Sequence, residues 1–406
     1  MQAVILAAGE SSRFWPLNSR HKSLFKICGK PIIKYTIESL IKCKIKDIII
    51  VQKKEKDIEK EIGKISGAKI TYVEQENPLG MGNALLTAKY FLKDNFFVLN
   101  ADRIDCDIFI KEMIFESKNA DLVLAGSKTQ KPWLYGILKM KGKKVISIIE
   151  KPDFKGEAIK AVGIYLLPLE FFKYYEKVKK HVYDFEDAIN EYIKDHEVIS
   201  IVKNFDTPSL KYPWDLFSFC KILFEKQLKI KSIKKISKKA KIEGNVFIGK
   251  NTIIYENAVI RGPCYIGDNC IIGNNSVLRE YTNIENNSVI GANSEITRSI
   301  IQENCKLHSG FIGDSIIDRN CKIGAGIITA NKRLDEKEII VKHRGKEIST
   351  NFKKLGVIIG ENTRIGIRVS IMPGSLIGKN CIIGPNELIK REIKDNQVVL
   401  NRLKSK

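Results

Sequence analysis

Between residues 242 and 296 an aliphatic side chain recurs at every sixth position: Ile242, Ile248, Ile254, Ile260, Ile266, Ile272, Leu278, Ile284, Ile290 and Ile296. The spacing then runs in five- and six-residue steps through Ile301, Leu307, Ile312, Ile317 and Ile323. The strict period returns at Ile359, Ile365, Ile371, Ile377, Ile383 and Ile389. A helix repeats at about 3.6 residues and a strand at about 2, so neither explains this spacing. Hexapeptide repeats predict a parallel β-helix; in its left-handed form each aliphatic side chain fills the prism interior and three hexads close one turn. Residues 330–356 break the period with a polar run and predict a projecting loop, which on solenoids commonly lies on the binding face.

The first half of the chain carries a different pattern. Val4–Leu6, Asp47–Val51, Lys69–Val73, Phe96–Leu99 and Asp121–Ala125 are short apolar or β-branched runs, with amphipathic stretches at 31–43 and 81–92. Strands alternating with helices predict an α/β domain, a parallel sheet with helices on both faces. Ligands bind such sheets at the carboxyl ends of the strands. The two patterns divide the 406 residues into domains at 1–225 and 242–406. Between them, residues 226–241 (KQLKIKSIKKISKKAK) are half Lys and read as a helix end and basic linker.

Composition narrows the classes. At 44% apolar and 29% charged residues the chain is an ordinary globular protein. It has no apolar run of about eighteen residues and no signal-peptide pattern, so neither a membrane partner nor export is expected. Nine scattered cysteines without a C-x-x-C pair argue against a zinc site and a disulfide framework, and the cytoplasm is the expected compartment. The net charge of +22 is spread along the chain with acidic residues interspersed and no basic-aromatic array. That favours small phosphorylated molecules over nucleic acid as partners.

The opening Ala3-Val4-Ile5-Leu6-Ala7-Ala8-Gly9-Glu10-Ser11-Ser12-Arg13, then Pro16 and Lys22, joins a buried strand to a small-residue loop whose backbone N–H groups can face an anion. Arg13 and Lys22 bring positive charge suited to a triphosphate. The segment resembles the L-A-A-G-x-G-[ST]-R-x(2)-P…P-K opening of the sugar-1-phosphate nucleotidylyltransferases, with Ser11 and His21 at positions of a usual Gly and Pro. The resemblance implies a Rossmann-like nucleotidyltransferase domain, a nucleotide held by Leu6, Ala7, Ala8 and Gly9, and catalytic charge from Arg13 and Lys22. The segment QENPLGMGNALLTA, from Gln75, resembles the family's base-recognition loop: the Gln75 amide can pair with a base edge, and Gly80 lets the backbone approach it.

Further along, Asp102 stands just past the run Phe96–Leu99, and a carboxylate there suits Mg²⁺, which takes one or two carboxylates plus substrate oxygens. It matches the family's metal aspartate. The family's second metal carboxylate falls where this chain has Ser209-Leu210-Lys211, and Asp206 is the candidate in its place. Asp105 and Asp107 read as solvent-facing, and Asp215 as a helix N-terminal residue. Tyr135-Gly136, Glu150-Lys151-Pro152 and Val162-Gly163-Ile164 resemble the sugar-pocket elements, implying Gly136, Glu150, Lys151 and Gly163 as sugar-binding residues.

The β-helix half resembles the acetyltransferase half of the bifunctional enzymes that make UDP-N-acetylglucosamine. His308-Ser309-Gly310-Phe311-Ile312-Gly313-Asp314 matches H-x-x-Y-[LIV]-G-D, and Gly324-Ala325-Gly326-Ile327-Ile328-Thr329-Ala330-Asn331 matches G-A-G-T-I-T-x-N. By this resemblance His308 is the base that takes a proton from a sugar amine, Arg279 and Lys354 hold sugar phosphate, Ala325 touches acetyl-CoA, and Asn331 holds the acceptor. Phe311, Lys322 and Thr297 depart from the usual Tyr, Asn and Lys. The expected activities are nucleotidyl transfer from UTP or dTTP to a hexose or N-acetylhexosamine 1-phosphate, with Mg²⁺, and N-acetylation with acetyl-CoA as co-substrate. A homotrimer is expected, since related β-helices build sites between neighbouring prisms. The alternative is nucleotidyl transfer alone, or a non-catalytic sugar-nucleotide-binding subunit, with the β-helix as scaffold.

Overall fold

The computed structural model describes residues 1–227, 236–343 and 345–400, so half of the basic stretch 226–241, residues 228–235, lies outside the described residues. The chain forms two compact units that do not follow its order: Met1–Glu10 with Pro31–Ser209, and Ser11–Lys30 with Leu210–Lys406. The helix Leu216–Gln227 therefore goes with the second unit, where the Cys220 thiol meets the Tyr281 carbonyl at 3.7 Å.

The first unit is built on nine strands: β1 Gln2–Ala7, β2 Asp47–Lys53, β3 Lys69–Gln75, β4 Phe96–Asn100, β5 Leu122–Thr129, β6 Gly136–Lys141, β7 Lys144–Glu150, β8 Ala158–Leu167 and β9 Val198–Lys203. Their order across the sheet is β3-β2-β1-β4-β8-β5-β9-β7-β6. The four strands from β3 to β4 are parallel, as the alternating pattern predicts. The rest corrects the expectation of a parallel sheet, because β8 runs antiparallel to both β4 and β5, and β6 and β7 form an antiparallel hairpin. Periodicity reports burial and not strand direction, so this reversal left no trace in the pattern. Gly163, at φ +82°, lies inside the register shift of β8 between Ala161 and Tyr165. The predicted helices form at Ile32–Lys42 and Met81–Ala88, the latter continued by a 3₁₀ turn at Lys89–Phe91.

The second unit is a parallel β-helix of three sheets with eight, seven and eight strands. Strand partners step by eighteen residues, as in Ile242↔Ile260, Ile248↔Ile266 and Ile254↔Ile272, so three hexads close a coil. Where the sequence spacing shortens, Ile284↔Ile301 and Ile301↔Ile317 pair over seventeen and sixteen residues. The hexad aliphatics and Cys264, Cys270, Cys305, Cys321 and Cys381 make one buried core. At one corner the turn residues Asn251, Asn269, Asn287, Asn304, Asn320, Asn362, Asn380 and Asn396 all have positive φ, between 55° and 61°. Each side-chain amide before the last donates to the next at 2.9–3.2 Å. Asn tolerates this left-handed backbone better than other residues with a side chain, and the ladder supplies amide partners along the solenoid. The insertion 330–356 forms a hairpin of Ile340–His343 with Lys346–Ser349, and Ile339, Val341 and His343 on it are buried.

Candidate functional site

In the first unit β1 ends at Ala7 and delivers Ala7 and Ala8, both buried, to an exposed Gly9 where an added Cβ would meet nothing within 4 Å. Leu6 is partly buried on the same strand. Gln75 ends β3 and is buried, its amide donating to Asn83 Oδ1 at 2.6 Å. Gly80 caps the following helix at φ +118°, a backbone angle that strains any side chain, and Val182 O lies a tight 3.2 Å from where its Cβ would be.

Three of the sugar-pocket candidates, Gly136, Glu150 and Lys151, are neighbours. Gly136 pairs with Glu150 across the β6–β7 hairpin, and a Cβ on Gly136 would sit 2.8 Å from Glu150 Oε2. Lys151, left-handed at φ +47°, reaches Glu150 at 3.0 Å and the Tyr183 hydroxyl at 2.8 Å. Burial depresses the Lys151 pKa, but hydrogen bonds to Tyr183 and Glu150 outweigh it and the net shift is upward. On β8 a Cβ at Gly163 would collide with Asn100 Nδ2 at 2.3 Å. Glu186 faces the same carboxylate: burial, then repulsion by Glu150, pushes its pKa up to about 8.

Asp102 is buried just past β4. Asp105 is buried as well, 3.7 Å from the fully buried Arg103, which corrects its reading as solvent-facing. Arg103 donates to the Val162 carbonyl at 3.0 Å and to the Pro208 carbonyl, tying the Asp102 loop to β8 and to the end of the unit. Asp206 is engaged by Lys160 Nζ at 2.5 Å, and the same ammonium donates to the Thr207 carbonyl at 2.7 Å. Lys160 is almost wholly buried, and desolvation lowers its pKa despite Asp206. No group of three or more His, Cys, Asp or Glu suited to a metal occurs among the described residues. A lone carboxylate at Asp102 fits Mg²⁺ only where substrate oxygens complete the coordination.

Arg13 and Lys22 lie in the second unit. Arg13 is exposed on a short 3₁₀ turn that starts after Ser11 at φ +55°, a backbone angle that suits the family's Gly. Lys22 Nζ donates to the Leu210 carbonyl at 2.5 Å. Asp215 accepts from the amides of Lys211 and Tyr212 at the start of its helical turn, as expected for an N-terminal residue.

His308 is exposed on the β-helix in a cavity of about 480 Å³ with Gly291, Ala292, Lys306, Lys322 and Arg364. Arg279, Ala325, Asn331 and Lys354 do not line that cavity. Arg279 is held by Glu295 at 2.7 Å and Glu280 at 3.1 Å, and Asn331 donates to Asp314 at 2.5 Å. Ala325 accepts from the Arg368 amide at 2.8 Å, and Lys354 is exposed on the bridge that pairs it with Lys332.

Residues 2–211 match the family model described as nucleotidyl transferase. The chain belongs to that family. Residues 239–280 and 356–386 of this nucleotidyl transferase match the bacterial transferase hexapeptide, and 281–312 the hexapeptide repeat of succinyl-transferase, as its left-handed β-helix requires. It is 41% identical to the bifunctional protein GlmU of Methanococcus maripaludis strain C7, over 99% of this chain and 98% of that protein. Identity is 34% to the bifunctional protein GlmU of Methanocaldococcus jannaschii, with the same coverage. It is 35% to the bifunctional sugar-1-phosphate nucleotidylyltransferase/acetyltransferase of Sulfurisphaera tokodaii, over 97% of this chain and 98% of that protein.

Several residues of this transferase escaped the sequence reading. Asn100 and Arg103 flank Asp102 at a strand end, and that position alone was a usable signal. Asn83, Lys160 and Glu186 carry none, because each is defined by a partner distant in sequence or by burial.

Proposed function

We propose that the protein couples UTP or dTTP to a hexose or N-acetylhexosamine 1-phosphate, releasing pyrophosphate, and that its β-helix N-acetylates a hexosamine 1-phosphate from acetyl-CoA. The observation that carries this reading is similarity across both units to full-length bifunctional relatives. In the first reaction a phosphate oxygen of the sugar phosphate attacks the α-phosphorus, the bond to the bridging oxygen of the β-phosphate breaks, and pyrophosphate departs. Such transfer depends on alignment and charge neutralisation. Arg13 and Lys22 supply charge to the triphosphate; Gln75 pairs with the base; Leu6, Ala7, Ala8, Gly9 and Gly80 give the nucleotide room. Glu150 accepts hydrogen bonds from sugar hydroxyls, Lys151 meets the sugar phosphate, and Gly136 and Gly163 leave space for the ring. Asp102 would hold Mg²⁺, which neutralises phosphate charge when bound. The Lys160 pairing leaves Asp206 as counter-ion to a buried ammonium in this reading, and the metal role expected of it passes to substrate oxygens.

In the second reaction the amine nitrogen attacks the thioester carbonyl, His308 takes its proton, the C–S bond breaks and the thiol of CoA leaves. Arg279, Asn331 and Lys354 lie off the His308 cavity, which favours a homotrimer in which a neighbouring copy completes the site. Neither nucleic acid nor a membrane enters this reading, and the compartment is the cytoplasm. The test is pyrophosphate release from each of UTP, dTTP and GTP with hexose 1-phosphates, and thiol release from acetyl-CoA with glucosamine or galactosamine 1-phosphate. Lys22→Ala should abolish the first activity, and His308→Ala the second alone. No pyrophosphate with any pair overturns the reading. A second reading, nucleotidyl transfer with a β-helix scaffold, is favoured by the engagement of Arg279 by two carboxylates, and absence of thiol release with both amino sugars would establish it.

A further inference from the structure

On the β-helix, the outward residues next to inward Ile284, Ile301 and Ile317 form a column of Glu285, Gln302 and Asp318, all fully buried. Outward positions on a solenoid are normally solvated. Here the segment Ser11–Lys30 covers them, within the same compact unit. Arg20 Nη2 donates to Asp318 Oδ1 at 3.0 Å and to Gln302 Oε1 at 3.2 Å, and Nη1 reaches Glu303 Oε1 at 3.4 Å. The guanidinium lies 4.6 Å from the centre of the Phe25 ring. Gln302 also takes both backbone groups of Lys26, accepting from its N–H at 3.0 Å and donating to its carbonyl at 2.9 Å. Asn283 and Glu285 accept from the amides of Cys28 and Gly29 at 2.9 and 3.1 Å. Trp15 Nε1 donates to Asp395 at 2.9 Å.

Apolar side chains of similar size would bury this face at lower desolvation cost, because a buried ion pair commonly adds little net stability. Directional bonds fix register, which apolar contact does not. The segment they fix carries Arg13 and Lys22. We infer that Arg20, held by Asp318, Gln302 and Glu303, is a positioning residue for the triphosphate-binding segment, which makes the β-helix a working part of nucleotidyl transfer. This rests on the nucleotidyl transfer proposed above.

The test uses the full chain with Arg20→Met and Arg20→Lys. Affinity for UTP is measured by titration calorimetry, and kcat and KM by pyrophosphate release, with melting and light scattering alongside. Arg20→Met is expected to raise Kd and KM for UTP at least tenfold while KM for the sugar phosphate stays within twofold, and Arg20→Lys to recover part of the loss. UTP affinity and kinetics within twofold of wild type in folded Arg20→Met overturn the inference. So does an equal loss for both substrates that tracks the fraction unfolded. If Arg20→Met fails to fold, Glu303→Gln, which removes the charge facing both Arg20 at 3.4 Å and Lys26 at 3.5 Å on the same segment, is expected to raise the same UTP parameters two- to fivefold, and no rise overturns the inference. Wild-type protein that binds UTP but releases no pyrophosphate with any triphosphate defeats the functional reading, and the titration still decides the positioning claim.

Discussion

Substituting Asp206 separates two roles for one carboxylate. Lys160 has about 1% of its side chain exposed, whereas Asp206 is 56% exposed. Removing one partner of a fully buried ion pair costs about 3–5 kcal/mol, because the other charge stays buried without compensation. Water reaching the Asp206 side and the remaining 2.7 Å bond to the Thr207 carbonyl soften this to roughly 1–2 kcal/mol for Asp206→Asn. In a unit of this size that lowers Tm by roughly 2–8 °C. Lys160→Met removes the buried charge itself and leaves an exposed carboxylate, so it should cost about 1 kcal/mol or less. Burial already holds the folded Lys160 pKa below its unfolded value. The penalty for keeping it charged is therefore present at low pH and fades as pH rises and the amine loses its proton, so the Asp206→Asn deficit should shrink between pH 7 and pH 10. Melting curves of both variants across that range, with the Mg²⁺ dependence of pyrophosphate release, form the assay. Wild-type stability in Asp206→Asn, together with a several-fold higher Mg²⁺ requirement, would refute the counter-ion argument and restore Asp206 as a metal ligand.

Three further outcomes follow from the geometry. Glu186 keeps its proton in the fold up to about pH 8 while an unfolded Glu releases it near the ordinary carboxylate range, so wild-type Tm should fall as pH rises through that window, and Glu186→Gln should flatten the slope by a few degrees. Gly163→Ala puts a Cβ at φ +82° within 2.3 Å of Asn100 Nδ2, and displacing that amide should raise KM for the sugar phosphate roughly tenfold, about 1–2 kcal/mol, with KM for the triphosphate unchanged in steady-state assays. Asn304→Ala loses two ladder bonds and leaves a methyl side chain at φ +61°; Asn304→Gly loses the same bonds without that strain, so melting should show Gly above Ala by about 1 kcal/mol.

How much could be read in advance depended on whether a feature repeats along the chain or joins distant parts of it. The β-helix was legible residue by residue, because Ile242 through Ile389 report one packing environment visited once per hexad, and the shortened steps at Ile301 to Ile323 became shortened coils. Alternating runs located β1 to β5 of the first unit and the helices at Ile32–Lys42 and Met81–Ala88, but not β6 to β9. They could not give the reversed direction of β8, which depends on pairing partners and not on burial. The same distinction holds in the site. Gly136, Glu150 and Lys151, named from separate motifs, are adjacent in the fold, while Gly163 lies against Asn100; Lys160 became visible only through Asp206, 46 residues away. Arg20, whose partners lie 282 to 298 residues on, offered no local sign at all.

The net charge of +22 gains meaning once its cations are sorted by partner. Along the β-helix Arg261 meets Glu243, Arg279 meets Glu295, Arg298 meets Asp314 and Arg319 meets Glu361, so these four arginines are each neutralised by a carboxylate from a neighbouring coil. At the His308 cavity the cations have no such partners. Lys306, Lys322 and Arg364 stand in register on successive coils, and among the described residues no carboxylate lies within ion-pair distance of any of them. Neighbouring strands are about 4.8 Å apart, and like charges directly opposite each other are destabilising. The repulsion within this column stands beside the one histidine expected to act as a base. The phosphorylated substrates of the proposed acetyl transfer are the anions that would relieve it. In that light Lys322, which departs from the family's usual Asn, is less a lost hydrogen-bonding group than one member of a positive column.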